Sequence, residues 1–277
     1  MASDPQAGTQ EEDSASPPVT LRAAAFGDPF RWLARGAQDF GRAPGIGLFF
    51  GACFVAMGWA LLKVFENAPA FVLGLSAGFL LVGPLLCVGL YRVSECLERG
   101  LRPRLFDALF AWRRKLGSLA IFGVVLLVLE MLWARASLVV FALLFQGSMP
   151  DFAGSLRSLL NLKNIEFIVA WTALGGVFAM IIFSVSVVSI PMILDRRTDA
   201  ITAGITSIRL VVSQPAVLIF WAAIITVLVV LAMLPGFAGL LVVGPILGHA
   251  SWHAYRTMVE PLTQAPQVVA GAREADR

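Results

Sequence analysis

Four stretches of the chain contain no Asp, Glu, Lys or Arg: residues 43–62, 67–91, 167–194 and 210–255. A bilayer's hydrocarbon core is about 30 Å thick, so a helix needs about 20 apolar residues to cross it. The first three runs supply one span each. The last is long enough for two, with Leu234-Pro235-Gly236 as the turn between them. Residues 116–150 are apolar apart from Glu130 and Arg135, and read as one further span. The expectation is an all-α, polytopic transmembrane helical bundle of six spans. Composition agrees: 58% of residues are hydrophobic and 14% charged, against about 25% charged in soluble domains.

The flanks are different in kind. Residues 1–20 are rich in Gln, Glu, Asp, Ser and Pro and hold no apolar core, so no signal peptide is read there. The reading divides the chain into a disordered cytoplasmic tail (1–28), a six-span membrane domain (29–260) and a second cytoplasmic tail (261–277). The first span then acts as an uncleaved targeting signal. Cys53, Cys87 and Cys96 fall in or beside apolar spans, which argues for buried thiols rather than disulfides.

Charge gives the orientation. Arg22, Arg31, Arg35 and Arg42 precede the first span. Arg92, Arg99, Arg102, Arg104, Arg113, Arg114 and Lys115 follow the second, and Arg196, Arg197 and Arg209 follow the fourth. Arg256, Arg273 and Arg277 follow the last, while the opposite side has only Lys63, Arg157 and Lys163. The positive-inside rule places the arginine-rich side, and with it both termini, in the cytoplasm. The net charge of +3 calls for no nucleic acid; its clustering fits topology and contact with anionic lipid. Tyr91, Trp112, Trp252 and Tyr255 fall at the same level, as interfacial aromatics do.

The spans also repeat. Val82–Arg92, Ser189–Arg196 and Val243–Arg256 each contain a proline and end in arginine. An amphipathic segment precedes each pair of spans. The apolar stripes are Phe30, Leu33, Ala34, Ala37 and Phe40; Leu105, Ala108, Leu109 and Trp112; and Ile201, Ile205, Ile208 and Val212. Each stripe is expected to be the buried face of an interfacial helix. Three repeated units result, the middle one with an outer loop over residues 146–164.

At Gly78–Tyr91 (GFLLVGPLLCVGLY), Pro191–Arg196 (PMILDR) and Gly248–Arg256 (GHASWHAYR), the chain resembles a bacterial integral membrane family. That family is classed as the twenty-one eighty-nine domain of unknown function, and the likeness runs over roughly residues 30–260. It implies a multi-pass protein of the bacterial cytoplasmic (inner) membrane. No catalytic residue carries over from it.

Few residues are candidates for chemistry. His249 and His253 lie four apart, on one helical face, a spacing that can bind a metal; a bis-histidine haem would need its second histidine from another subunit. Hydrogen bonding to neighbouring helices is the alternative. A structural zinc site takes four ligands, and the chain has no other histidine. Glu130 and Arg135 lie within a span, where a charge costs about 2.5–3.5 kcal/mol on insertion scales. Arg92, Arg196 and Arg256 each end a repeat mark and form a candidate lipid-headgroup site. Pro84 and Pro245 free helical carbonyls and either line a polar pocket or shape packing. No phosphate loop or nucleophilic triad is present: Gly41–Gly47 lacks the required lysine.

The leading expectation is a membrane protein that is not an enzyme, acting as a structural or assembly partner without a cofactor. The bilayer is its surroundings, and a protein partner or homo-oligomer is compatible with it. A small-solute or lipid transporter is the first alternative, and a haem or metal redox subunit the second.

Overall fold

Helices account for the regular structure in the computed structural model, which describes residues 20–67, 72–144, 165–196 and 198–260. They are α1 (Asp28–Arg42), α2 (Pro44–Asn67), α3 (Val72–Glu98), α4 (Leu105–Leu109) and, after a 3-10 turn at Ala111–Lys115, α5 (Leu116–Leu144). Then come α6 (Ile165–Ser186), α7 (Ser189–Asp195), α8 (Ala200–Ser213), α9 (Pro215–Met233) and α10 (Leu240–Met258). Four helical stretches among the described residues are long and apolar enough to cross a membrane. They are Pro44–Val64, Leu116–Leu144, Ile165–Asp195 and Pro215–Met233. Between 17% and 33% of each is buried in the protein, so most of their apolar side chains face outward. That suits hydrocarbon and not water.

Prolines set the corners. Ala43 precedes Pro44 and leaves the helical region at φ −133°, ψ 55°. Gln214 precedes Pro215 and adopts nearly the same angles, φ −143°, ψ 61°. A proline ring clashes with a helical residue before it, so α1 and α8 both stop there. The next helix starts at once, because proline is suited to a first turn. Pro191 acts inside a helix. It removes the donor to the Val187 carbonyl, and the chain bends at Val187–Val188 between α6 and α7. The turn expected at Leu234-Pro235-Gly236 is present. Gly236 and Phe237 both have positive φ, 62° and 68°. The Trp59 indole donates to the Gly236 carbonyl at 2.7 Å, which ties α2 to that turn.

The amphipathic segments form helices α1, α4 and α8, but α8 presents its stripe opposite to the expectation and α1 only part of it, with Leu33 and Phe40 half-buried. On α8, Ile201, Ile205, Ile208 and Val212 are exposed, while Ala203, Gly204, Ser207 and Leu210 are buried. On α1, Phe30 is 58% exposed, and Pro29, Trp32, Gly36 and Asp39 are buried. Small residues let helix axes approach closely, and in lipid no hydrophobic force drives the bulky row inward. The protein face is therefore the small one. The interfacial aromatics are also corrected: Trp252 and Tyr255 are fully buried, and Tyr91 nearly so. Tyr91 stacks on Trp252 at 6.3 Å.

The tail expected over 1–28 is shorter at its described end. Leu21 pairs antiparallel with Val259. The Arg22 amide donates to the Met258 carbonyl at 2.8 Å, and the Glu260 amide to the Thr20 carbonyl at 3.0 Å. Ala24 donates to the Gln214 side chain at 2.7 Å. Backbone pairing fixes this segment where composition alone suggests a free chain. Residues 1–19, the outer loop at 146–164 and the tail at 261–277 lie outside the described residues.

Packing concentrates on α10. A Cβ built on Gly36 of α1 would sit 2.6 Å from the Ile246 carbonyl oxygen and 2.8 Å from the Ala250 nitrogen. A Cβ on Gly51 of α2 would overlap the Leu241 carbonyl. That carbonyl is the one Pro245 deprives of its helical donor. Gly36→Leu is expected to lower stability by about 1–3 kcal/mol or more through overpacking. Gly41→Leu, on the same helix with nothing within 4 Å of its Cβ position, should leave it nearly unchanged. Thermal unfolding of both variants in detergent micelles checks the contrast.

Candidate functional site

The polar side chains of the bundle gather at one end, between α1, α3, α7 and α10. Asp39 is presented by α1, on the stripe Trp32-Gly36-Asp39-Ala43 that docks on α10. Trp32 fixes that helix: its indole donates to the Thr257 hydroxyl at 3.1 Å, and its ring meets Trp221 edge-on at 5.5 Å. Asp39 is 4% exposed. Its Oδ2 lies 2.8 Å from His253 Nε2, and the Ser94 hydroxyl favours its charged form. The same hydroxyl lies 2.8 Å from His249 Nδ1.

Donor bookkeeping orders these bonds. An ionised carboxylate only accepts, so His253 carries its proton on Nε2. Burial alone would raise the Asp39 carboxyl. The bond from His253 and the Ser94 hydroxyl, with the nearby imidazoles, outweigh it and hold the carboxyl below its ordinary value. His249 Nε2, His253 Nδ1 and Trp252 Nε1 are buried with no hydrogen-bond partner.

A second polar set lies beside His253. Glu98 Oε1 lies 3.9 Å from His253 Nδ1, and Arg256 Nε lies 3.2 Å from Glu98 Oε2. Arg256 Nη1 lies 3.7 Å from Asp195 Oδ2. The Tyr255 hydroxyl donates to that same oxygen at 2.7 Å and accepts from Arg196 Nε at 3.1 Å. Arg196 also donates to the Glu260 carbonyl, and Lys115 donates to the Arg196 carbonyl at 2.5 Å. The kink at Pro191 turns Asp195 and Arg196 toward α10.

The residues singled out by sequence divide accordingly. His249 and His253 share one buried polar layer, bonded to Ser94 and Asp39. Arg196 and Arg256 meet there through Asp195 and Tyr255. Arg92 turns elsewhere and pairs with Glu95 of its own helix at 2.6 Å; Arg99 completes that group at 2.7 Å. On α5, Glu130 is half-buried and Arg135 exposed. Among the described residues no group of three or more His, Cys, Asp and Glu is placed to hold a metal ion. Sequence reading missed Asp39, Ser94 and Glu98. The one signal was the 4-3-4 spacing of Trp32, Gly36, Asp39 and Ala43, a tight helix face with a carboxylate on it.

Long apolar helices with outward apolar faces and polar groups gathered at one end define an integral membrane protein. Residues 71–195, a little under half of the chain, match the family described as "Predicted integral membrane protein (DUF2189)". The match holds Gly78–Tyr91 and nearly all of Pro191–Arg196, whereas Gly248–Arg256 lies beyond it. No curated protein and no solved structure matches the chain.

Asp39 is predicted to carry much of the stability of this end. Asp39→Ala strands the His253 Nε2–H, and should cost about 1–3 kcal/mol. The pH dependence has a definite sign. The folded carboxyl is below the unfolded value of about 3.9, so its contribution is complete above pH 4 and is lost as pH falls through the folded value. Unfolding followed from pH 6 to pH 3 in detergent should show Asp39→Asn losing less stability than the wild type across that range.

Proposed function

We propose that the chain is a non-enzymatic, multi-pass protein of the bacterial cytoplasmic membrane that serves as a structural or assembly component. One observation carries this reading: the groups best suited to chemistry are bonded to each other. Asp39, Ser94, His249 and His253 form one linked set, and Glu98, Asp195, Arg196, Tyr255 and Arg256 form a second beside it, across four helices. Such a network rigidifies and specifies a fold when its members are satisfied.

The reading includes six crossings in three units. α3 and α10 join the four apolar spans as the second and sixth. α3 has 27 residues, about 40 Å at 1.5 Å per residue. α10 has 19 residues, about 28 Å at 1.5 Å per residue, apolar over its first half and polar from His249 onward, so its polar end lies toward the cytoplasmic face. An even number of crossings is supported by the pairing of Thr20–Arg22 with Met258–Glu260, which puts both flanks at one face. The three-unit reading is supported by the matching corners at Ala43-Pro44 and Gln214-Pro215. Arginine placement orients that face to the cytoplasm. At Pro245, the freed carbonyl is packed by Gly51, which favours a packing role for this proline over a solute pocket.

Single cysteines in a background lacking Cys53, Cys87 and Cys96 test the topology. Positions Gly100 and Ser213 should label only from the cytoplasmic side, and Asn67 and Gly236 only from the outside. Labelling of Gly236 from the cytoplasm overturns the arrangement. Native mass spectrometry from membrane-derived nanodiscs tests the function. A bare subunit, or one bound to another protein, is expected. A retained haem or metal transfers the assignment to a redox subunit, and solute flux in proteoliposomes transfers it to a transporter.

A further inference from the structure

We propose that α1 is an in-plane anchor that recognises anionic phospholipid headgroups through Arg31, Arg35 and Arg42. This rests on the reading that α2 and α9 cross the bilayer. It goes beyond that reading by naming the partner and the surface.

At about 100° per residue, α1 divides into three stripes. Pro29, Trp32, Gly36 and Asp39 face the protein and are buried. Phe30, Ala34 and Ala37 form an apolar stripe that faces away from it and is exposed. Arg31, Arg35, Gln38 and Arg42 form the third stripe, also exposed, with Asp28 as the one acid at its start. A two-faced helix buries one side and solvates the other. A helix with a protein face, a bare apolar face and a cationic face fits a boundary between three media: protein, acyl chains and headgroups.

Two contacts set its depth. Phe30 meets Phe220 edge-on at 5.8 Å, and Phe26 lies 6.4 Å from the same ring. Phe220 is in the second turn of α9, a helix apolar enough to cross the membrane. At its other end, α1 turns into α2 at Pro44 with only Ala43 between them. Both ends of α1 are thus held where a crossing helix enters the apolar layer. The apolar stripe then meets acyl chains, and the arginine row meets phosphates.

The arginines have capacity to spare. Arg31 bonds Asp28 at 2.9 Å yet its side chain is 76% exposed. Arg42 lies 3.9 Å from Asp39 and is 60% exposed. A guanidinium has five donors in a planar fork that matches phosphate oxygens. Helix α8 has the same proline corner and an exposed apolar stripe, but only Arg209 as a cation. It supplies an internal comparison: an apolar anchor without a basic row.

The test uses the full chain reconstituted in phosphatidylcholine bilayers containing spin-labelled phosphatidylglycerol or spin-labelled phosphatidylcholine. The wild type should prefer phosphatidylglycerol at its boundary by about three-fold or more at low salt, and less at high salt. Arg31→Gln/Arg35→Gln/Arg42→Gln should lose at least half of that preference, Arg35→Gln alone a smaller share, and Arg209→Gln almost none. The triple lysine variant should retain most of it. A folded triple glutamine variant with the wild-type preference overturns the proposal, as does a wild type with none. Should the triple variant not fold, Arg35→Gln with the wild-type preference overturns it instead. Release of the wild type from membranes by alkaline carbonate overturns the underlying membrane reading, an outcome separate from these.

Discussion

The seat of α1 on α10 governs the rest of the architecture. Gly36 brings the two backbones so close that a single Cβ would meet the Ile246 carbonyl. That approach is what lets Asp39 reach His253 and Trp32 reach Thr257. A membrane protein gains little from burying one apolar side chain against another, because lipid is equally apolar. Close packing and hydrogen bonds must supply the specificity. Both are concentrated here, at the end where the polar residues lie, and the apolar lengths of the helices are free to spread against lipid.

This division explains why α8 presents its bulky row outward. Ile201, Ile205, Ile208 and Val212 read as a core stripe by spacing, and the spacing is indeed helical. Periodicity identifies a face but does not say which medium the face meets. In water the bulky row goes inward. At a bilayer boundary it goes toward the acyl chains, and Ala203, Gly204 and Ser207 take the protein side. On α1 the inversion is partial: Phe30 faces outward, but Trp32 docks inward beside Gly36 and Asp39, and Leu33 and Phe40 are half-buried.

Much of the fold was legible in the chain. Charge-free runs located three of the four membrane-length helices, the stretch with Glu130 and Arg135 located the other, and Leu234-Pro235-Gly236 located a turn. The proline-to-arginine marks converge: Tyr91 of the first stacks on Trp252 of the third, and Asp195 and Arg196 of the second bond Tyr255 of the third. The candidate site was only half legible. His249 and His253 share a buried layer, but their partners Ser94 and Asp39 come from 155 and 214 residues away. No local pattern encodes such a pairing. Arg92 resembles Arg196 and Arg256 in sequence, yet Glu95 lies one turn along its own helix and captures it. A local ion pair is available without ordering any other segment.

The prolines show how one residue type takes three roles through position alone. Before a helix, at Pro44 and Pro215, it forbids helical geometry to its predecessor and makes a corner. Within α10, Pro245 leaves the Leu241 carbonyl without a donor, a cost that neighbouring groups must offset in an apolar medium. Gly51 lies on that carbonyl with no side chain between, the geometry of a weak Cα–H···O contact. A kink and a glycine on the facing helix therefore form one packing unit. Near the end of a span, Pro191 bends the chain so that Asp195 and Arg196 turn back onto α10 instead of continuing outward. The corners set where α1 and α8 end, the buried proline sets how closely α2 and α10 pack, and the terminal one delivers the side chains of the polar layer.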